Sequence, residues 1–360
     1  MAPLIRELDR HDGVETKLLS TGQHLDMSAQ MLACFGLSPD VELALMRPDQ
    51  ALASLTARLL EGVTSAIRDL QPDALLVQGD TTTVLAASLA AYYERVPVGH
   101  VEAGLRSHDD LAPWPEEMNR RLADSLSTWC FAPTEPARKN LLREGIAPSR
   151  IHVTGNTVID ALLWMRERVE REPPSIAREL GDRLHGRRMV LVTGHRRESF
   201  GPTFEGLCRA MRRIADEHPD VVLVYPVHLN PRVREPVQQL LGGHDRILLL
   251  EPLPYDAFVW LLSASYLILT DSGGVQEEAP AFGKPVVVMR ETSERPEGVQ
   301  AGNAVIAGVD ESAIFDEVHR LLDSKQEYDK RARVAMPYGD GNAARKIVAV
   351  LLGDDGDARS

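Results

Sequence analysis

Four short segments concentrate the side chains that can move protons or hold an anion. Gln78-Gly79-Asp80-Thr81-Thr82-Thr83 closes an apolar run and puts a carboxylate and three hydroxyls where a strand gives way to a helix. A carboxylate there can act as acid or base on a ligand, or it can simply cap the helix. His100-Val101-Glu102-Ala103-Gly104-Leu105-Arg106 is followed by Trp114-Pro115-Glu116-Glu117-Met118-Asn119-Arg120. Glu102 ends a buried run, where a charge is costly without a partner. Glu116 and Glu117 open a helix behind Pro115, a position that suits both proline and acidic residues on structural grounds alone. Carboxylates converging from these segments would suit acid–base work on a sugar.

Two further segments have the composition of an anion site. In Val192-Thr193-Gly194-His195-Arg196-Arg197-Glu198, Gly194 allows a tight turn, and His195 and Arg196 bring donors and positive charge for a diphosphate. In Leu269-Thr270-Asp271-Ser272-Gly273-Gly274-Val275-Gln276-Glu277-Glu278, a strand runs into two glycines and a helix, so phosphate oxygens can meet bare amides. Glu278, one turn on, can accept from both hydroxyls of a ribose. The plainer readings are a structural histidine and an ordinary glycine turn. Gly339-Asp340-Gly341-Asn342-Ala343-Ala344 fits a dinucleotide fingerprint by letter only, since no strand precedes it and too few residues follow. HExxH, Walker A and zinc-type spacings are missing, so neither a metal nor a cofactor is expected.

Such segments need a scaffold that presents strand ends, and the hydrophobic pattern supplies one. Apolar runs at Glu15–Ser20, Ala74–Gln78, Val98–Val101, Thr128–Phe131 and Ile151–Val153, and again at Met189–Thr193, Val221–Tyr225, Ile247–Leu250, Tyr266–Thr270 and Val286–Met289, alternate with helical stretches such as Gln50–Leu70 and Thr82–Tyr93. Strands separated by helices form parallel sheets with right-handed crossovers. The 360 residues suit two domains. The divide falls in Leu162–Arg187, read as a helix and then a charged linker with Pro173-Pro174. The expected fold is α/β, two Rossmann-like doubly wound parallel-sheet domains facing a cleft, where ligands of such sheets bind. Residues 1–165 make the first domain and 166–340 the second. Residues 341–360 make a helix, Ala343–Leu352, and a tail that packs back toward the first domain. A helix, Pro3–Arg10, stands where a doubly wound half would open with its first strand.

The net charge of −13 argues against nucleic acid and anionic membranes as partners, but not against a small anion held by amides and a few cations. Cys34, Cys130 and Cys208 show no paired spacing, as in a reducing cytosol. With no apolar run of about 18 residues and no signal-peptide pattern, a cytoplasmic location is expected.

In this order the four segments resemble the non-hydrolysing UDP-N-acetylglucosamine 2-epimerases, a family with a GT-B-like fold. The resemblance covers essentially the whole chain. It includes Gly155-Asn156-Thr157-Val158-Ile159-Asp160, Tyr225-Pro226-Val227-His228-Leu229-Asn230, the stretch Met289–Glu297, and Pro337-Tyr338-Gly339-Asp340-Gly341. It implies that Asp80, Glu102, Glu116 and His195 form the catalytic group. Ser272, Gly273 and Gly274 would cradle the diphosphate with Arg295 and His195 nearby. Glu278 would hold the ribose, Phe258 would stack on the uracil, and the Leu253 backbone would meet the base edge. It also implies a second, regulatory UDP-sugar site at Gln23, His24 and Arg58, against the alternative that Gln23 and His24 merely line a loop. A homodimer is expected.

The implied reaction inverts C2 of the sugar with no redox cofactor: UDP leaves C1, a carboxylate removes the C2 proton, and re-protonation and re-addition follow. The same residues leave open an epimerase of a related UDP-2-acetamido sugar, a GT-B glycosyltransferase, and a non-catalytic UDP-sugar-binding protein. Members of the family begin with a strand and a Gly-Thr-Arg-Pro-Glu turn that Met1 resembles a point beyond. The expectation is therefore a natural start roughly 15 residues upstream.

Overall fold

A computed structural model of the chain describes residues 1–22, 25–45, 50–194, 201–291 and 296–353. The chain divides into two compact units, one formed by Met1–Ala161 with the chain from Tyr338 onward, the other by Leu162–Pro337. The first unit runs α1 (Ala2–Leu8), β1 (Leu19–Ser20), α2 (Leu25–Cys34), β2 (Val41–Glu42), α3 (Leu52–Leu70), β3 (Leu75–Gln78), α4 (Thr82–Tyr93), β4 (Val98–Val101), α5 (Glu116–Leu126), β5 (Trp129–Ala132), α6 (Glu135–Arg143), β6 (Ile151–Val153) and α7 (Thr157–Arg171), within which the chain crosses over. The second runs α8 (Ser175–Leu184), β7 (Arg188–Thr193), α9 (Pro202–Glu217), β8 (Val221–Pro226), α10 (Pro231–Leu241), β9 (Ile247–Leu250), α11 (Tyr255–Ala264), β10 (Leu267–Thr270), α12 (Gly273–Glu278), β11 (Val286–Val288), α13 (Pro296–Gln300), β12 (Ala304–Ile306), α14 (Glu311–Asp323) and α15 (Lys325–Arg331). A last helix, Ala343–Leu352, belongs to the first unit.

Both units are α/β with wholly parallel pairing. In the first, β3-β4-β5-β6 lie in sequence order, and β1 and β2 form a separate two-residue ladder. Helices cover both faces. Val63 and Ile67 of α3 and Val84, Ala87 and Ala91 of α4 pack with Val77 and Val98. Leu4 and Leu8 of α1 pack with Val101, Phe131 and Ile347 and Val348 of the last helix. The spacing of Leu55, Leu59, Val63 and Ile67 explains why α3 is a helix with one buried stripe. In the second unit the order is β12-β11-β10-β7-β8-β9, so β7 is central and the winding reverses between β7 and β10. Met189, Val190, Leu191 and Val192 are all buried, the unbroken apolar run of a strand covered on both sides.

Several expectations need correction. The strand read over Glu15–Ser20 is only Leu19–Ser20, because its partner Val41–Glu42 is two residues long and the Leu18 amide donates instead to the Asp40 carboxylate at 2.8 Å. Helix α1 ends at Leu8 rather than Arg10. The supposed linker after α7 contains α8, whose Ile176 and Leu180, four residues apart, are buried. The edge strands β2 and β12 were not foreseen. Cys130 and Cys208 are buried, and burial pushes both thiols up to about 12. Among the described residues no helix is long and apolar enough to cross a membrane.

Two of the family-like segments meet where the chain returns to the first unit. The Asn156 N–H donates to the Tyr338 carbonyl at 2.6 Å. Gly155 and Gly339 lie back to back, both at positive φ, and a Cβ on Gly155 would sit 3.0 Å from the Gly339 Cα. The last helix has no capping side chain of its own, and the Asp160 carboxylate takes that part, accepting from the Ala343 and Ala344 amides at 3.2 and 2.8 Å. Replacing Asp160 with Ala should lower stability to urea by about 1–3 kcal/mol, with Asp160→Asn recovering part of the loss. An unchanged urea midpoint would show that the last helix does not depend on this cap.

Candidate functional site

The chemistry-bearing residues fall into two loop clusters, one in each unit. In the first unit Asp80 and Glu102 follow the ends of the adjacent strands β3 and β4, whose register pairs Gln78 with Val101. Gly79 turns the chain at φ +83°, and a Cβ there would lie 4.0 Å from Glu102 Oε2. Glu102 itself sits at φ +67°, a strained backbone for a glutamate. Its Oε1 accepts from Gln78 Nε2 at 2.8 Å. Asp80 is paired with Arg120 at 2.5 Å, and its carbonyl accepts from Asn119 Nδ2 at 3.0 Å. Thr81 stands at the N-cap of α4 without a side-chain capping bond, so neither it nor Asp80 plays the capping role. Glu116 is the first residue of α5 and half-buried, and among the described residues no hydrogen bond or ion pair engages its carboxylate.

Beneath these carboxylates lies a buried charge network. His100 and Asp124 are both fully buried. His100 Nδ1 meets Asp124 Oδ1 at 2.6 Å, and Nε2 meets the Gly79 carbonyl at 2.7 Å. Both partners are acceptors, so both ring nitrogens carry hydrogen. Burial works against the imidazolium, but Asp124, the Gly79 carbonyl and Glu102 outweigh it, and the pKa of His100 is raised. Asp124 is held below the usual carboxylate range, against its own burial, by His100 and Arg106. Arg106 Nη2 donates to Asp124 at 2.6 Å and the Gly104 amide does so at 3.2 Å. Gly104 is required: a Cβ there would stand 2.3 Å from the Ala137 carbonyl oxygen, at φ +84°. Glu117, also buried, accepts from the Ser107 amide at 3.0 Å and faces Arg120 Nη1 at 3.3 Å.

In the second unit the cluster forms at the winding reversal, where open α/β sheets hold ligands. Thr193 and Thr270, paired in register at the ends of β7 and β10, share a hydrogen bond of 2.5 Å. Thr270 Oγ1 also accepts from the Ser272 amide at 2.9 Å, which sets the turn into α12. The Gly194 carbonyl accepts from the buried Tyr225 hydroxyl at 2.5 Å. The amides of Gly273 and Gly274 open α12, where no intrahelical acceptor reaches them. A Cβ on Gly274 would meet nothing within 4 Å, so the approach is open. Glu278, at the end of α12, is buried and accepts from Tyr255 Oη at 3.0 Å. Burial pushes its pKa up to about 7; the Tyr255 bond pulls it down and Glu277 adds to the rise. Tyr255 opens α11, which also carries the half-buried Phe258, and Leu253 is in the loop before it.

Asp80 and Glu102 are thus neighbours, as are Ser272, Gly273, Gly274 and Glu278. His195, Arg295, Gln23 and His24 lie outside the described residues. Arg58 on α3 donates to the Leu45 carbonyl at 3.3 Å and to the Gln50 side chain, so any ligand would have to share it. The supporting residues His100, Asp124, Arg106, Arg120 and Tyr255 received no role from the sequence. The available signal was a histidine inside the apolar run Val98–Val101.

The sequence profile of the UDP-N-acetylglucosamine 2-epimerase family matches residues 6–352. The UDP-N-acetylglucosamine 2-epimerases of Escherichia coli K12 and Yersinia pestis are each 51% identical to this chain, over 98% of it and 94% of their own length. The crystal structure of the UDP-GlcNAc 2-epimerase from Neisseria meningitidis bound to UDP-GlcNAc superposes with a TM-score of 0.91 at 43% identity, covering 98% of this chain and 96% of that one.

The raised pKa of Glu278 makes stability depend on pH. Below the ordinary glutamate value of 4.5 the carboxyl is neutral in both folded and unfolded chains. Between 4.5 and about 7 only the unfolded chain ionises, so this contribution to stability is lost as pH rises through that window. The loss amounts to about 3 kcal/mol. Glu278→Gln removes it. The melting temperature of the variant, relative to the parent protein, should climb from pH 5 to pH 7 and then level off. A constant difference across that range would contradict the buried, neutral carboxyl.

Proposed function

The chain belongs to the UDP-N-acetylglucosamine 2-epimerase family and is an isomerase, and from that premise we propose that it interconverts UDP-N-acetylglucosamine and UDP-N-acetylmannosamine by eliminating and re-adding UDP. Ser272, Gly273 and Gly274 bind the diphosphate through backbone amides, with His195 and Arg295 supplying positive charge. Glu278 accepts from the ribose hydroxyls, and Phe258 and Leu253 receive the uracil. Hydroxyls donated to Glu278 favour its ionised form, so nucleotide binding near neutral pH releases a proton from it.

C2–H of the sugar is not acidic in the ground state. As the C1–O bond to UDP lengthens, positive charge builds at C1 and C2–H becomes acidic. A carboxylate from the group Asp80, Glu102 and Glu116 takes the proton, leaving UDP and a 2-acetamidoglucal. A proton returned to the opposite face of C2, followed by re-formation of the C1–O bond, gives the manno epimer. Every atom is conserved, and no electron acceptor is needed. The amides of the Ser272–Gly274 turn stabilise the charge of the leaving diphosphate.

The observation that carries this reading is the placement of Asp80 and Glu102 at adjacent strand ends, each held by a specific donor, Arg120 and Gln78. Two positioned carboxylates are the equipment for moving a proton off one face and onto the other. Incubation with UDP-N-acetylglucosamine in D₂O, followed by NMR, should show the manno anomeric signal and deuterium at C2 of the product. Epimer formed without deuterium at C2 would contradict elimination.

A further inference from the structure

His218 follows the last residue of α9, and His319 and Asp323 stand one helical turn apart at the end of α14. His218 Nε2 and His319 Nδ1 are 3.1 Å apart. The Asp323 carboxylate lies 3.6 Å from His218 Nδ1 and 3.5 Å from His319 Nε2. One donor atom from each residue can be chosen so that all lie within 4.8 Å of one another. We propose that His218, His319 and Asp323 bind a divalent transition-metal ion of the zinc class, with water in the remaining position, and that the ion clamps the end of α14 to the end of α9.

The donor set decides the class of ion. Two imidazoles and one carboxylate suit Zn²⁺, Co²⁺ or Ni²⁺, whereas Mg²⁺ and Ca²⁺ want oxygen ligands throughout. Tetrahedral bonds of about 2.0–2.1 Å place ligand atoms about 3.3 Å apart. His218 Nε2 and His319 Nδ1 already have about that spacing, while Asp323 faces the other nitrogen of each ring. One atom from each residue lies within 4.8 Å of the others, so gathering all three to that spacing needs shifts of about 1.5 Å, which the His319 and Asp323 side chains can make by rotating because they are 44% and 55% exposed.

The surroundings support the site without depending on an ion. The His218 side chain is 7% exposed, and its carbonyl accepts from Arg246 at 2.9 Å. The Phe315 ring stacks on His319 at 5.4 Å between centroids. Nearby cations are already engaged, Arg188 with Asp220 and Arg213 with Glu217, each at 2.7 Å. Met211 and Ile214 of α9 share a core with Phe315, Val318 and Leu322 of α14, so the helices stay packed without metal. His319→Ala and Asp323→Ala should therefore fold normally.

The test is a titration of the metal-free, full-length protein with Co²⁺, read by the visible absorption of tetrahedral cobalt, followed by displacement with Zn²⁺. The expected result is one equivalent bound, with each variant weakening binding at least about tenfold and losing the rise in melting temperature that Zn²⁺ gives the parent protein. Turnover of the nucleotide sugar should be the same in variants and parent. The chain holds 11 histidines, so metal uptake alone does not suffice. Variants that bind Co²⁺ as tightly as the parent, or that Zn²⁺ stabilises equally, overturn the proposal.

Discussion

The ion pair between His100 and Asp124 is the constraint on which the first loop cluster rests. It joins β4 to α5 out of contact with water, and each partner reaches further. His100 holds the Gly79 carbonyl, which fixes the turn that presents Asp80. Asp124 collects Arg106 and the Gly104 amide, which fixes the turn that begins at Glu102. Removing one member would leave a charge buried without compensation, a change that costs about 3–5 kcal/mol in comparable settings. The strained backbone at Glu102 fits this picture, since the surrounding network over-determines its conformation.

The second cluster is built differently. Its position follows from the sheet order, because the reversal between β7 and β10 splays the connections that leave those strands. Threonine hydroxyls and glycine amides form it, beside the buried carboxyls of Asp271, Glu277 and Glu278. That suits a site whose part, in the proposed reaction, is to hold a nucleotide and accept charge as its bond breaks. In the same proposed reaction the first cluster has to place proton-transfer groups accurately, which a rigid buried network does better than a turn.

The parallel strands were legible because strands covered on both faces are unbroken apolar runs, as in Val286–Val288 and Val221–Tyr225. The strands β2 and β12 were not, because Val41–Glu42 is two residues long and Ile306 is 38% exposed, so neither carries that signature. The charges around Pro173-Pro174 masked the two-residue apolar stripe of α8. Asp80 and Glu102 stood out as carboxylates closing apolar runs. Their supports did not, since a bond between His100 and Asp124 spans 24 residues with no periodicity to reveal it. The His218–His319 contact joins residues 101 apart and leaves no metal-ligand spacing in the sequence for the same reason.

The buried pair sets the geometry of the carboxylates above it, and Asp124→Asn tests this most directly because the side chain keeps its shape and loses only its charge. The measurement is kcat for the nucleotide sugar beside UDP affinity by calorimetry. On this account kcat falls about 10- to 100-fold, as a small misplacement of reacting groups produces. UDP affinity, which the proposed function assigns to residues of the other unit, stays within about twofold of the parent, as for sites that share no partners. A variant with a lowered melting temperature and undiminished kcat would contradict the account, showing that the pair holds the fold without positioning Asp80 and Glu102.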